Sequence, residues 1–151
     1  MTFRIIGLLF TLLLLTQCQK LNLNVSNVYI EDRFIRIGAT VENRTSRVLA
    51  IPAYNVNNNA SNYYRIESAQ QGLEICSNSI NGISQKIIKI SPDECIPFQL
   101  LFVIRKADKG IYSCKLVPVD KEAVDCAFFE MRIDRDIMER QSDLTSKSDY
   151  F

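Results

Sequence analysis

From Leu21 onward, apolar residues fall at every second position, and turn-forming residues interrupt the pattern at short intervals. A side-chain period of two belongs to strands with one buried face, whereas a helix repeats at 3.6. Leu21, Leu23 and Val25 alternate with Asn22, Asn24 and Ser26, and the phase then moves to Val28 and Ile30, which predicts a bulge at Ser26-Asn27. Ile35, Ile37, Ala39 and Val41 form a second alternating run, closed by turn chemistry at Asn43-Arg44-Thr45-Ser46. Val48, Leu49 and Ile51 make a short run that Pro52 ends. Further strands are expected over 63–67, 73–76, 83–90, 96–105, 111–119 and 127–133. Ile96, Phe98, Leu100, Phe102 and Ile104 share one face with Leu101 and Val103 on the other, which predicts a strand central in its sheet or buried on both sides. Lys106 to Gly110 reads as a charged hairpin loop. Past Asp134 the period fades, with a helical turn or two expected over 134–140 and a frayed polar end over 142–151. About seven to nine short strands, with turns roughly every 8–12 residues, predict an all-β antiparallel sandwich.

The first 17 residues have a different pattern. Arg4 is the only charge before Lys20, and an apolar run extends from Ile5 to Leu15. Crossing a bilayer takes about 20 apolar residues, so this run is too short to span and reads as a short signal helix for export. The Leu15-Thr16-Gln17-Cys18 segment that follows resembles the lipobox of bacterial lipoproteins. That resemblance implies cleavage before Cys18, palmitate-type acylation of Cys18 and a membrane anchor. Gln19 rather than Asp after the cysteine leans, by the same resemblance, towards the outer membrane or the periplasmic face.

Five cysteines then divide into one and four. With Cys18 assigned to lipid, Cys76, Cys95, Cys114 and Cys126 remain, and an exported domain sits where disulfides persist. Three pairings are open; Cys76–Cys95 with Cys114–Cys126 closes the shortest loops. Reduced buried thiols and a four-cysteine zinc site are the alternatives, the latter without the usual CxxC knuckles. Losing residues 1–17 removes one base and no acid, leaving 17 basic and 17 acidic residues. A balanced chain offers no basic footprint for nucleic acid.

Two stretches resemble the immunoglobulin-like domains of bacterial envelope proteins. Val41-Glu42-Asn43-Arg44-Thr45 runs into Leu49-Ala50-Ile51-Pro52, and Ile90-Ser91-Pro92-Asp93-Glu94 runs into Phe98-Gln99-Leu100-Leu101-Phe102. The resemblance implies an immunoglobulin-like sandwich and says nothing of activity. The organisation expected is a signal peptide over 1–17, an anchor and linker over 18–26 that can hold the start of the first strand, a sandwich over 27–134, and a polar tail over 135–151.

Candidate sites are few. The Asn-rich stretch 53–62 with its flanking tyrosines offers a candidate binding loop of Tyr54, Asn57, Asn58, Tyr63 and Tyr64, set against inward packing of Tyr63 or Tyr64. Glu31-Asp32, Asp93-Glu94 and Asp134-Arg135-Asp136 are carboxylate clusters at expected turns, with no calcium-loop pattern. The chain has no His, so His-based triads, general bases and metal ligands are excluded. No enzyme activity, cofactor or metal is expected. Asn24, Asn43 and Asn59 each begin a glycosylation sequon, which keeps a soluble secreted glycoprotein as a rival. The first reading is a membrane-anchored envelope lipoprotein acting as a non-catalytic binding or assembly module for another envelope protein, its oligomeric state open. The second is an exported inhibitor or immunity protein that blocks an enzyme with a loop at 53–62 or 106–110.

Overall fold

A computed structural model describes residues 20–56, 63–76 and 86–140; residues 1–19 with Cys18, residues 57–62, residues 77–85 with the start of the expected 83–90 strand, and residues 141–151 lie outside them. Nine strands follow in order: β1 (Asn22–Glu31), β2 (Phe34–Glu42), β3 (Leu49–Pro52), β4 (Tyr64–Ser68), β5 (Leu73–Ile75), β6 (Ile87–Ile90), β7 (Cys95–Ala107), β8 (Gly110–Pro118) and β9 (Ala127–Ile133). One 3-10 turn, Ala53–Val56, follows β3, and the described residues hold no α-helix. All strand pairs named here are antiparallel. They make a four-stranded sheet in the order β1-β2-β7-β5, a three-stranded sheet β4-β8-β9, and a ribbon β3-β6. With the ribbon set aside, this is the ABED and CFG strand order of a constant-type immunoglobulin sandwich.

The alternating residues carry the core as their parity requires. Ile35, Ile37, Ala39 and Val41 from β2, with Phe98, Leu100, Phe102 and Ile104 from β7, are buried against Tyr112, Cys114 and Leu116 of β8 and Met131 and Ile133 of β9. The Tyr64 and Phe98 rings meet across the sandwich with centroids 5.6 Å apart. β7 is central, between β2 and β5, yet Leu101 on its other face is 46% exposed, so only one side of that strand is covered.

The expected bulge is present: the β1–β2 register shifts between Val25 and Asn27. It is stapled to β2 by two bonds, Gly38 N–H to Asn27 Oδ1 at 2.9 Å and Ser26 Oγ to the Gly38 carbonyl at 2.9 Å. A side chain at Gly38 would push both polar groups away, so it is the two staple bonds that favour glycine there.

The segment 106–110 is a corner and not a hairpin loop, because β7 and β8 belong to different sheets. Two residues, Asp108 and Lys109, turn the chain over the sandwich edge. The Tyr112 hydroxyl donates to the Asp108 carbonyl four residues back at 2.7 Å, with the Gly72 carbonyl 3.3 Å away. Asp108 N–H donates to that same Gly72 carbonyl at 2.9 Å. This is the tyrosine corner of immunoglobulin-like folds, placed near the start of the strand equivalent to F. Gly72 has φ 92, and a Cβ there would approach Asp108 Oδ2 to 2.5 Å.

At the other end of β7, Asn43 is fully buried. Its amide donates to the Arg47 carbonyl at 2.8 Å and the Ile90 carbonyl at 2.9 Å. Its Oδ1 accepts from Thr45 N–H at 3.0 Å and Thr45 Oγ1 at 2.7 Å. A glycan cannot be added to an amide so engaged, which removes Asn43 from the sequons. The turn 91–94 docks alongside: Asp93 N–H donates to the Asn43 carbonyl at 2.8 Å, with Asp93 at φ 63 after Pro92.

Residues 134–140 are not helical. Ile137, 7% exposed, exchanges backbone hydrogen bonds of 2.7 and 2.9 Å with Ala107, and Glu139 pairs with Arg105. Two adjacent apolar residues, Ile137 and Met138, in a polar segment set no period, so this docking leaves no trace in the alternation pattern.

Candidate functional site

Alternation on three neighbouring strands builds a trough on the outer face of β4-β8-β9. Register places Glu67 of β4, Lys115 of β8 and Phe128 of β9 in one row, and Ser113 beside Glu130 in the next. The trough encloses about 610 Å³ and also touches Ser68, Cys114 and Phe129. Phe128 is 78% exposed, the largest apolar exposure among the described residues. The Lys115 ammonium stands 5.6 Å from its ring centroid, within cation–π range. A bare aromatic ring with a cation above it, Glu67 beyond that cation and Glu130 two residues along β9 suits a flat apolar group with polar neighbours, the composition of a protein contact.

Burial pushes the Cys114 thiol up to about 11, an effect the Ser68 hydroxyl only partly offsets, so the thiol stays protonated at neutral pH. No three metal-binding side chains converge among the described residues. The acidic clusters serve turns. Glu94 accepts from Ser91 N–H at 2.7 Å, Asp136 accepts from Lys109 N–H at 2.7 Å, and Asp32 receives Arg135 at 3.0 Å.

The tyrosines of the candidate loop divide. Tyr64 is 4% exposed and belongs to the core, with its hydroxyl pKa raised by burial and secondarily by Asp120. Tyr63 is half-buried, packs against the core and accepts Val119 N–H through its carbonyl at 2.8 Å. The sandwich interior claims Tyr64, whereas Tyr63, one residue ahead of β4, stays partly exposed. Tyr54 lies in the 3-10 turn, while Asn57 and Asn58 lie outside the described residues. Phe128 is absent from the sequence-based candidates, although its signal is legible: it is the aromatic out of phase with Ala127, Phe129, Met131 and Ile133.

Cys76, Cys95, Cys114 and Cys126 are all free thiols, and register corrects the short-loop pairing. Cys76 N–H bonds to the Val103 carbonyl, so Cys76 sits at the level of Val103, eight residues along β7 from Cys95 and roughly 26 Å away. Cys114 faces Phe129, and Cys126 lies three residues further along, about 10 Å away. Disulfides need Cα atoms within about 7 Å, so neither pair can close inside one chain. Cys114 occupies the place of the second antibody cysteine, two residues after the corner tyrosine, but β2 offers it only Ile35, Ile37, Ala39 and Val41 across the core.

No family model and no curated protein matches the chain. Among solved structures it is similar to a beta-glucosidase from Kluyveromyces marxianus in complex with glucose, at 11% identity and TM-score 0.46, covering 79% of this chain and 14% of that one. The selenomethionine-labelled form of the same enzyme gives 10% identity, TM-score 0.47, and coverage of 80% and 15%. The chain thus spans about a seventh of the length of those proteins. At that level of similarity no activity passes to this chain.

Proposed function

We propose that this protein is a non-catalytic binding module of the cell envelope, tethered to a membrane by lipid on Cys18 and engaging another envelope protein through the trough beside Phe128. The observation that carries the binding half is Phe128 itself, held out of the core by strand parity with Lys115 over its ring. Aromatic anchors of this kind dominate the energetics of protein contacts. What supports the tether is the Leu15-Thr16-Gln17-Cys18 motif behind a short apolar run.

A face contact also suits the molecule better than loop insertion into an enzyme. The 106–110 segment of the inhibitor reading is a two-residue corner, tied down by Tyr112, Gly72 and Asp136.

Two measurements separate the halves. A palmitate analogue fed to the native host labels the wild type and not Cys18→Ser; an unlabelled wild type overturns the anchor. A photo-crosslinker at position 128 captures one envelope protein in the cell, and Lys115→Glu abolishes that adduct without lowering the melting temperature. An adduct that survives Lys115→Glu unchanged, or no adduct, overturns the trough as the binding surface.

A further inference from the structure

The outer face of β1-β2-β7-β5 carries two features that the binding reading leaves unused. Parity sends Cys95, Pro97, Gln99, Leu101 and Val103 of β7 outward, and Cys95 and Leu101 are exposed. Cys76 is exposed beside Val103. The two exposed thiols therefore mark opposite ends of one sheet face, with Gln99 midway between Cys95 and Val103. Tyr29 and Phe34, 61% and 42% exposed, add apolar surface on the neighbouring strands.

We propose that two copies of this chain pack face to face across this sheet in an isologous contact, with Cys76 of each copy disulfide-bonded to Cys95 of the other. A two-fold contact requires that if one residue meets a second, the second meets the first. An axis lying across the strands at the level of Gln99 does this. It carries the Cys95 end of one copy over the Cys76 end of the other, twice. Cys95 then lies over Val103, one strand from Cys76. A rotation of roughly 20°, inside the roughly 30° between aligned packed sheets, brings both thiol pairs into line together. Leu101 comes to face Pro97 of the second copy. The disulfide between the two sheets of an antibody domain bridges a gap of the same kind. Both copies of β1 lie on the same edge, so both N-terminal segments leave towards the same side.

The size of the face explains why thiols are needed. Three strands by nine residues with the three-residue β5 at the edge cover less than roughly 19 Å by 30 Å, which is short of the approximately 800 Å² per partner of a standard stable interface. The contact positions the thiols, and the bonds hold it.

Oxidation proceeds by exchange with a low-molecular-weight disulfide. The Cys76 thiolate attacks one sulfur of that disulfide and releases one small thiol. The Cys95 thiolate of the other copy then attacks the Cys76 sulfur of the mixed disulfide and releases the second small thiol. Two protein thiols are oxidised, one small disulfide is reduced to two thiols, and the protons lost by the cysteines end on them.

The inference is independent of the trough and of lipid. Its test uses the full chain carrying Cys18→Ser, purified reduced and treated with oxidised glutathione, read on non-reducing gels and by mass. The expected product is a dimer that dithiothreitol returns to monomer. Cys76→Ser alone and Cys95→Ser alone stay monomeric, while a mixture of the two gives a dimer held by one bond. Cys126→Ser dimerises like the parent. Leu101→Glu slows dimer formation by about tenfold, the scale expected for charging a central apolar contact. A single variant that still dimerises, a mixture that does not, or a rate unchanged by Leu101→Glu overturns the proposal.

Discussion

At the Cys95 end of β7 the loops converge on one buried amide, and at the Ala107 end they converge on one phenol. Asn43 gathers the end of β2, the 43–47 turn and β6 with all four hydrogen-bonding capacities of its side chain. Tyr112 gathers the 69–72 connection and the β7–β8 corner with a single hydroxyl proton. At its bond to the Ile90 carbonyl, buried with it, the Asn43 amide has no water to take its place. A hydroxyl at a corner has solvent nearby, and the aromatic ring beneath it is held by packing in either case. The first end is therefore specified by polar satisfaction and the second by packing with a polar latch.

Replacing the amide breaks this comparison most severely. Asn43→Ala leaves the Ile90 carbonyl and the Thr45 N–H without their side-chain partner and costs about 3 kcal/mol, since each buried orphaned group costs about 1–3 kcal/mol. Asn43→Asp, nearly the same shape, costs at least as much, because it sets a carboxylate against two carbonyl oxygens. Urea unfolding at neutral pH measures both; a loss for Asn43→Asp of under half that of Asn43→Ala shows that the amide donors are not what matters.

Backbone strain at the other end ranks next. Gly72→Ala places a Cβ at φ 92 and against Asp108 Oδ2, and costs about 2 kcal/mol, mostly from the left-handed conformation, because the exposed Asp108 side chain can move aside. Combining it with Asp108→Ala recovers only the contact part. Full recovery in that double variant shows that collision, not backbone conformation, fixes the glycine.

The contrast between the ends bears on what can be read from a chain like this. Alternation placed the strands well because parity is a local property: Ser26 at the bulge, Pro52 at the end of β3 and the two apolar faces of β7 all announce themselves. Sheet membership does not. Lys106 to Gly110 has the composition of a hairpin, and only the neighbours of β7 and β8 make it a corner. Asn43 looks like an ordinary turn residue, because burial of its amide depends on Ile90, 47 positions away. Cysteine spacing suggested short loops, but covalent reach is set by register, which puts Cys76 beside Val103. Phe128 was legible as an off-phase aromatic, and its companions Lys115 and Glu67 become visible only once three strands are aligned.

The hydroxyl itself has a smaller effect. Tyr112→Phe keeps the ring in the core and removes the latch, costing about 1 kcal/mol, the ordinary net worth of a hydrogen bond. Hydrogen exchange locates the loss: amides of Asp108 and Lys109 lose protection, while those of Asn43 and Thr45 do not. Equal loss at both ends shows that the two ends unfold as one unit and removes the distinction drawn between them.

Titration gives the finest separation, because Cys114 and Tyr112, both raised by burial, lie towards the Tyr112 end. Cys114, whose thiol burial raises from 9.0 to about 11, lies two residues from Tyr112, itself raised by burial and then by Asp108. An acid whose folded pKa lies above its unfolded value holds its proton more tightly in the fold. The stability it contributes is fully present below pH 9.0 for Cys114 and is lost as pH rises towards 11. The contributions of Cys114 and Tyr112 to the melting temperature are thus constant from neutral pH to 9.0 and fall above it, first through Cys114 and then through Tyr112, whose ordinary value is 10.0. Cys114→Ala lowers the whole curve slightly through lost packing but flattens its first descent. Asn43→Ala lowers the curve far more and leaves the Cys114 step in place, since Asn43 bonds neither Cys114 nor Tyr112. A descent that persists in Cys114→Ala, or a Cys114 step lost in Asn43→Ala, shows that alkaline stability is not controlled from the Tyr112 end.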